Sequence, residues 1–258
     1  MRLDGKVAVV TGGDKGIGRA ITLALARHGA DVVIANLNRE TALETTRLAS
    51  DTGRKLTWVG TDVTKSADVN NLVSAVVDEF GRIDIFVNNS GVSSIGRIWE
   101  IDEEDFDRNY RVNTKGVFLC SKAVAPVMIR QRSGNIINIA SRAAKVPVEY
   151  QGHYGATKAA VLLLTRNFAS ELAPYGIRVN AICPGKVDTG MLRGEWAEEV
   201  ELRGMSVEQI EADIIRRTPM ARLVLPEDVA NVAVFMASDY SAGMTGQSIN
   251  VTCGLEMR

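Results

Sequence analysis

Short runs of β-branched and other apolar residues alternate with longer helix-like patterns along the chain. We predict strands at residues 6–11, 31–35, 55–59, 83–88, 135–140, 177–183 and 247–251. We predict helices at residues 16–28, 39–52, 66–80, 102–131, 153–173 and 227–237. This alternation is typical of right-handed βαβ units, and strands without polar alternation are buried on both faces. The sequence therefore predicts an α/β fold, a doubly wound parallel sheet with helices on both faces.

No linker rich in proline, glycine or serine divides the 258 residues, so we predict one domain over 1–258. The alternation is interrupted at about 188–218, a charged segment that contains Trp196 and two weak helical patterns. Because this segment follows a strand, it should lie at the carboxyl edge of the sheet, where open α/β folds bind ligands. We interpret it as an insertion that covers the substrate.

Composition argues against several classes of protein. The formal net charge is −1 and no block of lysine or arginine is present, which argues against a nucleic-acid-binding protein. No apolar run reaches the roughly 18 residues that span a bilayer, and no secretory signal precedes the first strand, so we expect a cytoplasmic protein. Cys120, Cys183 and Cys253 are isolated and have no metal-ligand spacing, so we expect free thiols and no metal site.

A glycine-rich turn, TGGDKGIG at 11–18, connects the first predicted strand to the first predicted helix. Glycines let the backbone turn tightly and approach a pyrophosphate, and the helix N-terminus supplies free N–H groups and a partial positive charge. A glycine cluster alone also fits an ordinary turn. Between a buried strand and an amphipathic helix, it predicts a Rossmann-type dinucleotide site.

Tyr154 and Lys158 lie four residues apart on a predicted helix, so their side chains share a face. A free tyrosine has a pKa of about 10, too high for a base at neutral pH. A nearby ammonium favours the phenolate and lowers that pKa, which is what proton transfer near neutral pH requires. The alternative is an ordinary surface pair.

Six elements between residues 11 and 189 occur in the order typical of the short-chain dehydrogenase/reductase family, which the chain resembles. They are TGxxxGxG at 11–18, NNSG at 88–91 with Ser90 where the family has alanine, Asn113, Ser141, YGATK at 154–158, and PG at 184–185 followed by Thr189. The resemblance implies an NAD(P)-dependent oxidoreductase that acts on CH–OH groups. The cofactor would carry the hydride, while the protein positions and polarises the reactants.

The resemblance implies four catalytic residues. Tyr154 would be the general acid/base, Ser141 would hold the substrate oxygen, and Lys158 would also bind the nicotinamide ribose. Asn113 would hold a water in a proton relay through Lys158, although its position in the sequence alone favours a helix-kink or capping role.

The resemblance also implies a set of cofactor-binding residues: Gly12, Lys15, Gly16, Ile17, Gly18, Asn36, Asp62, Val63, Asn89, Gly91, Tyr154, Lys158, Pro184, Gly185, Val187 and Thr189. Asp62 has a helix-capping alternative. Asn36 ends the second strand, where an acid would bind the ribose 2′-hydroxyl and repel a 2′-phosphate. Because Asn36 is neutral and Lys15 and Arg39 are nearby in sequence, we lean to NADP(H) or dual use. The alternative is that the side chains of Lys15 and Arg39 are simply exposed to solvent and bind no phosphate.

The sequence says less about the substrate than about the cofactor or the catalytic residues. We expect it to contact Ser93, Ser141, Gln151, His153 and Trp196. Gln151 and His153 alternatively only cap a helix. The charged insertion and the ending TGQSINV resemble members that act on polyols or diketones, and the main enzymatic alternative is a 3-oxoacyl-carrier-protein reductase. A basic patch from Arg142, Lys186 and Arg193 would suit an acidic carrier protein, but the glutamates at 195, 198, 199 and 201 weigh against it.

Two further hypotheses concern the whole molecule. The 153–173 helix is apolar nearly all round, as a helix buried on two sides should be. In the family this helix and the 102–131 region pair subunits, so we predict a homotetramer. Because one fold can serve many functions, a non-catalytic nucleotide-binding regulator is a further alternative.

Overall fold

A seven-stranded parallel sheet forms the centre of the protein, in the strand order β3-β2-β1-β4-β5-β6-β7. The structure is a computed structural model that describes residues 1–257, so the last residue of the predicted domain, Arg258, lies outside the described part. The strands are β1 (Val7–Thr11), β2 (Asp31–Asn36), β3 (Leu56–Gly60), β4 (Ile85–Asn88), β5 (Gly134–Ile139), β6 (Ile177–Pro184) and β7 (Ser248–Val251). The order reverses between β1 and β4, so the predicted doubly wound Rossmann-type fold is confirmed.

Nine α-helices connect or cover the strands within the described residues. They are α1 (Gly16–Arg27), α2 (Arg39–Leu48), α3 (Ser66–Phe80), α4 (Glu103–Asn109), α5 (Gly116–Gln131), α6 (Gly152–Leu172), α7 (Gly190–Arg203), α8 (Val207–Arg217) and α9 (Pro226–Ala237). One sheet face packs on α1 and α9 and the other on α3, α5 and α6. Neighbouring residues of β1 face opposite layers, Val9 toward α3 and α5, and Val10 toward α1 and α9. This two-sided burial explains why the strands lack polar alternation.

Two predicted helices are divided in the structure. The predicted 102–131 helix consists of α4, a π-helical segment at Tyr110–Lys115, and α5. The predicted 39–52 helix ends at Leu48 and is followed by a 3₁₀ turn at Ser50–Thr52. The remaining predicted elements differ from the observed ones by at most a few residues at their ends.

The segment predicted as an insertion forms α7 and α8, which we call the lid. Its helices have a small apolar core of their own, with Leu192, Trp196, Ile210, Ile214 and Leu223 buried together. Thr189 caps the start of α7, and Ser206 forms a capping box with Gln209 at the start of α8. A short loop joins the end of β6 to the lid.

The cysteines are free and buried in the structure. Among residues 1–257, no cluster of histidine, cysteine or carboxylate side chains has the arrangement of a metal site. Over the same residues, no helix has the length and apolar character needed to cross a membrane.

Candidate active site

A cavity of about 910 Å³ lies at the carboxyl edge of the sheet and extends from the glycine turn to Tyr154 and the lid. All sixteen residues predicted to bind the cofactor line it: Gly12, Lys15, Gly16, Ile17, Gly18, Asn36, Asp62, Val63, Asn89, Gly91, Tyr154, Lys158, Pro184, Gly185, Val187 and Thr189. The cavity therefore brings the glycine turn at the start of the chain together with the YGATK motif and the loop after β6.

The glycine turn leaves no room for side chains. A Cβ on Gly18 would lie 1.9 Å from the carbonyl oxygen of Gly12, and Gly12 itself has a φ of +61°. The first turn of α1 has no acidic residue, and its N-cap, Lys15, makes no side-chain capping bond. The free N–H groups of this helix start are thus left for an anion, which fits the diphosphate of a dinucleotide.

Asn89, which follows β4, stabilises the glycine turn from the neighbouring strand. Its side-chain Nδ2 donates to the carbonyl oxygens of Thr11 and Gly12 at 3.0 Å each. Its backbone N–H donates to Thr11 Oγ1 at 3.0 Å. These bonds join the carboxyl ends of β1 and β4 at the point where the strand order reverses, the usual ligand position in such sheets.

Asp62 and Val63 line the cavity beyond β3. Asp62 Oδ1 accepts from the backbone N–H of Thr64 at 3.0 Å and from its hydroxyl at 2.7 Å. Asp62 therefore closes the turn that precedes α3, while Lys65 occupies the N-cap position of that helix. Both the cavity position and the turn-closing role are present at Asp62.

Asn36, at the end of β2, is held in one orientation by two partners. Trp58 Nε1 donates to Asn36 Oδ1 at 2.7 Å, and Asn36 Nδ2 donates to the carbonyl oxygen of Asn38 at 2.8 Å. Because an indole only donates and a carbonyl only accepts, the amide orientation is fixed. The guanidinium of Arg39 lies 5.8 Å from the Trp58 ring centroid. Asn36 thus has one further N–H for the cavity, with its oxygen already engaged.

Ser141, Tyr154 and Lys158 all line the cavity, Ser141 just after β5 and the other two on α6. Ser141 Oγ accepts from the backbone N–H of Ala143 at 3.1 Å, which leaves its hydroxyl hydrogen to donate elsewhere. Lys158 Nζ donates to the carbonyl oxygen of Ile139 at 2.9 Å and lies 5.7 Å from the Tyr154 ring centroid. The predicted shared face of Tyr154 and Lys158 is therefore present.

Burial opposes the charged forms of both members of this pair. It raises the pKa of Tyr154 well above its usual value, and the charge of Glu195 raises it further, while the Ser141 side chain lowers it. Burial also lowers the pKa of Lys158 to about 8. Without a bound cofactor, Tyr154 is thus a protonated phenol at neutral pH.

Asn113 is buried in the π-helical segment and does not line the cavity. Its side chain bonds both backbone groups of Val92, accepting from the N–H and donating to the carbonyl oxygen at 2.9 Å each. It also donates to Thr157 Oγ1 on α6 at 3.1 Å. A Cβ on Gly91 would lie 3.3 Å from Asn113 Oδ1 and 3.5 Å from Lys158 Nζ, so both side chains approach the same glycine.

The loop after β6 joins the cavity to the lid. Val187 pairs with Val224 in a short parallel bridge, and Thr189 accepts from the Leu192 N–H as the cap of α7. A Cβ on Gly16 would lie 3.2 Å from Thr189 Cγ2. The start of the lid therefore lies against the glycine turn.

Among the predicted substrate residues, Gln151 and Ser141 line the cavity, whereas Ser93, His153 and Trp196 are not among its lining residues. His153 is buried and its Nε2 lies 2.8 Å from the Ser94 hydroxyl. Trp196 is fully buried because its ring fills the apolar core of the lid. The expectation that His153 and Trp196 face the substrate is therefore corrected.

Glu195, one residue before Trp196, was missed as a site residue. It lines the cavity, and its Oε2 accepts from Gln151 Nε2 at 2.9 Å and lies 3.6 Å from Lys186 Nζ. Burial raises the pKa of Glu195, an effect that Lys186 opposes. The sequence did contain a sign of this position. Leu192, Trp196 and Glu199 form the buried side of α7, and Glu195 lies next to it.

Comparison with known proteins agrees with this geometry. Residues 12–256 match the family model described as enoyl-(acyl carrier protein) reductase. A 3-oxoacyl-(acyl-carrier-protein) reductase from Thermotoga maritima is 38% identical over 257 residues, covering 99% of each chain. The structure of an NAD⁺-bound xylitol dehydrogenase has a TM-score of 0.93 and 32% identity, over 97% of this chain and 99% of that one.

An actinorhodin polyketide ketoreductase variant with NADPH has a TM-score of 0.94 and 32% identity, covering 99% of each chain. These similar proteins differ in substrate and in cofactor, but all of them match nearly the whole length of this chain. The fold, the cavity and the ordered motifs are the ones that such enzymes share. The chain therefore belongs to the short-chain dehydrogenase/reductase family and is an oxidoreductase that uses NAD(P)(H).

Proposed function

We propose that this enzyme interconverts a secondary alcohol and its ketone by hydride transfer, the alcohol being a polyol, a diol or a similar small hydroxy compound. The observation that carries the proposal is that Ser141, Tyr154 and Lys158 all line the cavity that begins at the glycine turn. When bound, the nicotinamide ring accepts or donates the hydride. The remaining chemistry, holding an oxygen and moving its proton, falls to these three side chains.

Each side chain has a distinct task in the proposal. The free hydroxyl hydrogen of Ser141 donates to the substrate oxygen and orients it. Tyr154 removes the alcohol proton during oxidation and protonates the developing alkoxide during reduction. Lys158 keeps two N–H groups beyond its bond to Ile139, enough to bind ribose and to favour the phenolate.

Asn113 is assigned a positioning role in the relay, beside the water-holding role that the family resemblance implies. Its bonds to Val92 fix the loop after β4, so that Gly91 lies against Lys158. The π-helical turn around it supports this assignment, since such turns are frequent at functional sites.

We propose that the enzyme uses NADP(H), or both cofactors. Asn36 keeps one N–H of its side-chain amide free of its bonds to Trp58 and Asn38, and this N–H can donate to a 2′-phosphate. Lys15 lines the cavity, and Arg39 is held near its rim by Trp58. No acidic side chain at the end of β2 repels the phosphate.

A small neutral substrate fits the entrance charges better than a carrier-bound thioester does. Arg193 is paired with Asp188 and Glu211 at 2.9 and 2.8 Å, so it is neutralised. Lys186 lies 3.6 Å from Glu195. Of the predicted basic patch, only Arg142, which lines the cavity, has no carboxylate within 4 Å among residues 1–257, so the patch is weaker than predicted; the similar Thermotoga protein keeps the carrier-protein reductase as the second candidate.

The proposal includes the organisation of the molecule: one domain over 1–258, a lid at about 188–218 that covers the substrate, a homotetramer, and a cytoplasmic location. Four side chains on α4, the π-helical segment, α5 and α6 support the tetramer because they are apolar and exposed: Phe106, Tyr110, Phe118 and Leu163.

The test is a panel of polyols, diols, simple alcohols, ketones and 3-oxoacyl thioesters with both cofactors, repeated with Tyr154→Phe. We expect a small hydroxy compound to give the highest kcat/KM, and Tyr154→Phe to lower it at least about a hundredfold with cofactor binding kept. Tyr240→Phe, which changes an exposed tyrosine, is the control.

A highest kcat/KM with carrier thioesters would favour the second candidate. Tight cofactor binding without any turnover would instead favour a regulator. Near-normal activity of Tyr154→Phe on the best substrate would refute the mechanism.

A further inference from the structure

The wall of the cavity between the lid and the start of α6 holds polar side chains that hydride transfer leaves unused. They are Gln151, Lys186 and Glu195, all of which line the same cavity as Ser141 and Tyr154. The side chains of Lys186 and Glu195 are each 11% exposed, and Gln151 is 6% exposed. Polar groups buried this deeply normally have hydrogen-bond partners, so their free positions indicate where a ligand binds.

Gln151 presents an acceptor to the cavity. Its Nε2 donates to Glu195 Oε2 at 2.9 Å, and because a carboxylate only accepts, the amide orientation is fixed. The backbone carbonyl of Gln151 accepts from the Gly155 N–H at 2.7 Å, whereas its side-chain oxygen, Oε1, accepts no hydrogen bond within residues 1–257. The side chain therefore has an unused acceptor in a nearly dry position.

Lys186 presents donors. Its ammonium lies 3.6 Å from Glu195 Oε2 and 3.9 Å from Glu199 Oε1, both beyond hydrogen-bond distance. Glu199 is instead engaged by Arg203 Nε at 2.5 Å. Lys186 and Glu195 thus balance each other's charge while keeping hydrogen-bonding capacity free.

The charge of Glu195 acts on the reacting end of the cavity. Burial raises the pKa of Tyr154, and the negative charge of Glu195 raises it further, so the carboxylate lies within electrostatic reach of the phenol. Gln151 lies three residues before Tyr154, at the start of α6, and bonds Glu195 at 2.9 Å, so a substrate whose reacting carbon lies at Tyr154 has its next few atoms close to this pair.

A hydroxyl group matches this set of partners because it both donates and accepts. It can donate to the carboxylate of Glu195 or the carbonyl of Gln151, and it can accept from Lys186. A carboxylate or phosphate on the substrate would face Glu195, and an ammonium would face Lys186, so either charge is disfavoured.

We propose that Gln151, Lys186 and Glu195 form a second polar subsite that binds hydroxyl groups of the substrate beyond the reacting carbinol and so selects neutral, polyhydroxylated compounds. This inference rests on the proposed function, because it names the substrate class of the same cavity. The subsite is separate from the proton-transfer residues, so its loss affects substrate choice before it affects chemistry.

The test compares 2-butanol, 2,3-butanediol and erythritol, which share four carbons and differ in hydroxyl number. With saturating cofactor, we expect wild-type kcat/KM to rise along the series. Glu195→Ala and Gln151→Met should each lower kcat/KM for erythritol about tenfold to a hundredfold, mainly through KM, as expected for lost hydrogen bonds to charged or buried groups. The loss for 2-butanol, which has no further hydroxyl, should be at least about threefold smaller than the loss for erythritol, since any effect of the Glu195 charge on Tyr154 acts on both substrates alike.

Glu201→Ala is the matched control, since Glu201 is an exposed glutamate on the same helix. Equal losses for 2-butanol and erythritol would assign Glu195 a purely structural role in holding the lid and would overturn the subsite. A wild-type enzyme that prefers 2-butanol to erythritol would overturn it as well.

A binding measurement separates the subsite from the proposed function. Erythritol is titrated calorimetrically into the enzyme saturated with reduced cofactor, a combination that cannot react. We expect binding to wild type and at least tenfold weaker binding to Glu195→Ala. If no alcohol is turned over but this difference persists, the proposed function fails and the subsite stands; equal affinities would overturn the subsite alone.

Discussion

Tyr154 and Lys158 are chemically useful because the protein holds them in a place that disfavours their charges. Burial raises the pKa of the phenol and lowers that of the ammonium to about 8. Tyr154 is thus ready to act as an acid at neutral pH, whereas its action as a base requires the positive nicotinamide and the Lys158 ammonium. Because oxidation releases a proton, we expect kcat/KM for oxidation to rise relative to that for reduction as the pH rises toward 8, the range in which Lys158 keeps its ammonium.

Lys158 also makes folding dependent on pH. Its folded-state pKa of about 8 lies below its ordinary value of 10.5, so the desolvation cost is fully present below pH 8. As the pH rises from 8 to 10.5, the folded state loses this proton first and the cost disappears. Each pKa unit corresponds to about 1.4 kcal/mol, so the gain is at most about 3.5 kcal/mol.

The prediction compares cofactor-free wild type with Lys158→Met by denaturant unfolding between pH 7 and 10.5. The free energy of unfolding of wild type should rise relative to the variant across this range. The lost bond to Ile139 shifts the variant by a constant and leaves the slope unaffected. Lys122→Met, which removes an exposed lysine, should follow wild type, and parallel curves for Lys158→Met would contradict the prediction.

Asn36 is the residue at which the cofactor's phosphate is predicted to be distinguished. Asn36→Asp keeps an oxygen for Trp58 but adds a negative charge at the end of β2, so it should repel a 2′-phosphate. We expect the ratio of kcat/KM for NADPH to that for NADH to fall at least tenfold. Asn70→Asp, an exposed substitution on α3, is the control, and an unchanged ratio would show that the phosphate lies elsewhere.

At the scale of elements, the glycine turn depends on close approach of the backbone. A Cβ on Gly18 would meet the Gly12 carbonyl at 1.9 Å, so Gly18→Ala must displace the turn from the start of α1. We expect the Kd of either nicotinamide cofactor, measured by fluorescence titration, to rise at least tenfold. Wild-type affinity would show that the turn does not hold the diphosphate.

Gly194→Ala is the matched control because its Cβ would meet no atom within 4 Å. Gly194 lies inside α7, where alanine is favoured over glycine by about 1 kcal/mol. This variant should therefore bind the cofactor as wild type does and unfold at a slightly higher temperature.

The helices show where prediction from sequence stops. The 66–80 helix was predicted with its observed bounds because Gly81 ends it in a left-handed conformation that favours glycine. The break within 102–131 was not predicted, since its cause is tertiary: Asn113 bonds Val92 and Thr157, which lie on other elements. Helical periodicity reports only which face is apolar and contains no information about such a bond.

At the scale of the molecule, the sheet and the cavity edge could be predicted because they follow from the order of elements. The lid's orientation could not, since an apolar residue such as Trp196 fits a substrate pocket and a small core equally well in the sequence. In the structure, Trp196 is buried in the small core of the lid, and Glu195 lines the cavity instead. The charges near the entrance became informative only when their pairing was known, as for Lys186.

The outer surface of α4, α5 and α6 carries apolar side chains that a monomer has no reason to expose. Phe118 and Leu163 are 41% and 57% exposed, and Phe106 stacks on Tyr110 with ring centroids 5.2 Å apart. Exposed apolar surface of this kind marks interaction sites. Since α6 is buried against the sheet on its other side, we predict that this surface joins subunits of a homotetramer.

Light scattering coupled to gel filtration should give four times the single-chain mass of 27.9 kDa. Placing charges on both helices with the double variant Phe118→Glu/Leu163→Glu should lower that mass, because burying an unpaired carboxylate in an apolar interface is costly. Leu48→Glu, at the exposed end of α2, adds a similar charge far from this surface and should leave the mass unchanged. A wild-type mass near 27.9 kDa would refute the tetramer, and a double variant that keeps the wild-type mass would place the subunit contacts elsewhere.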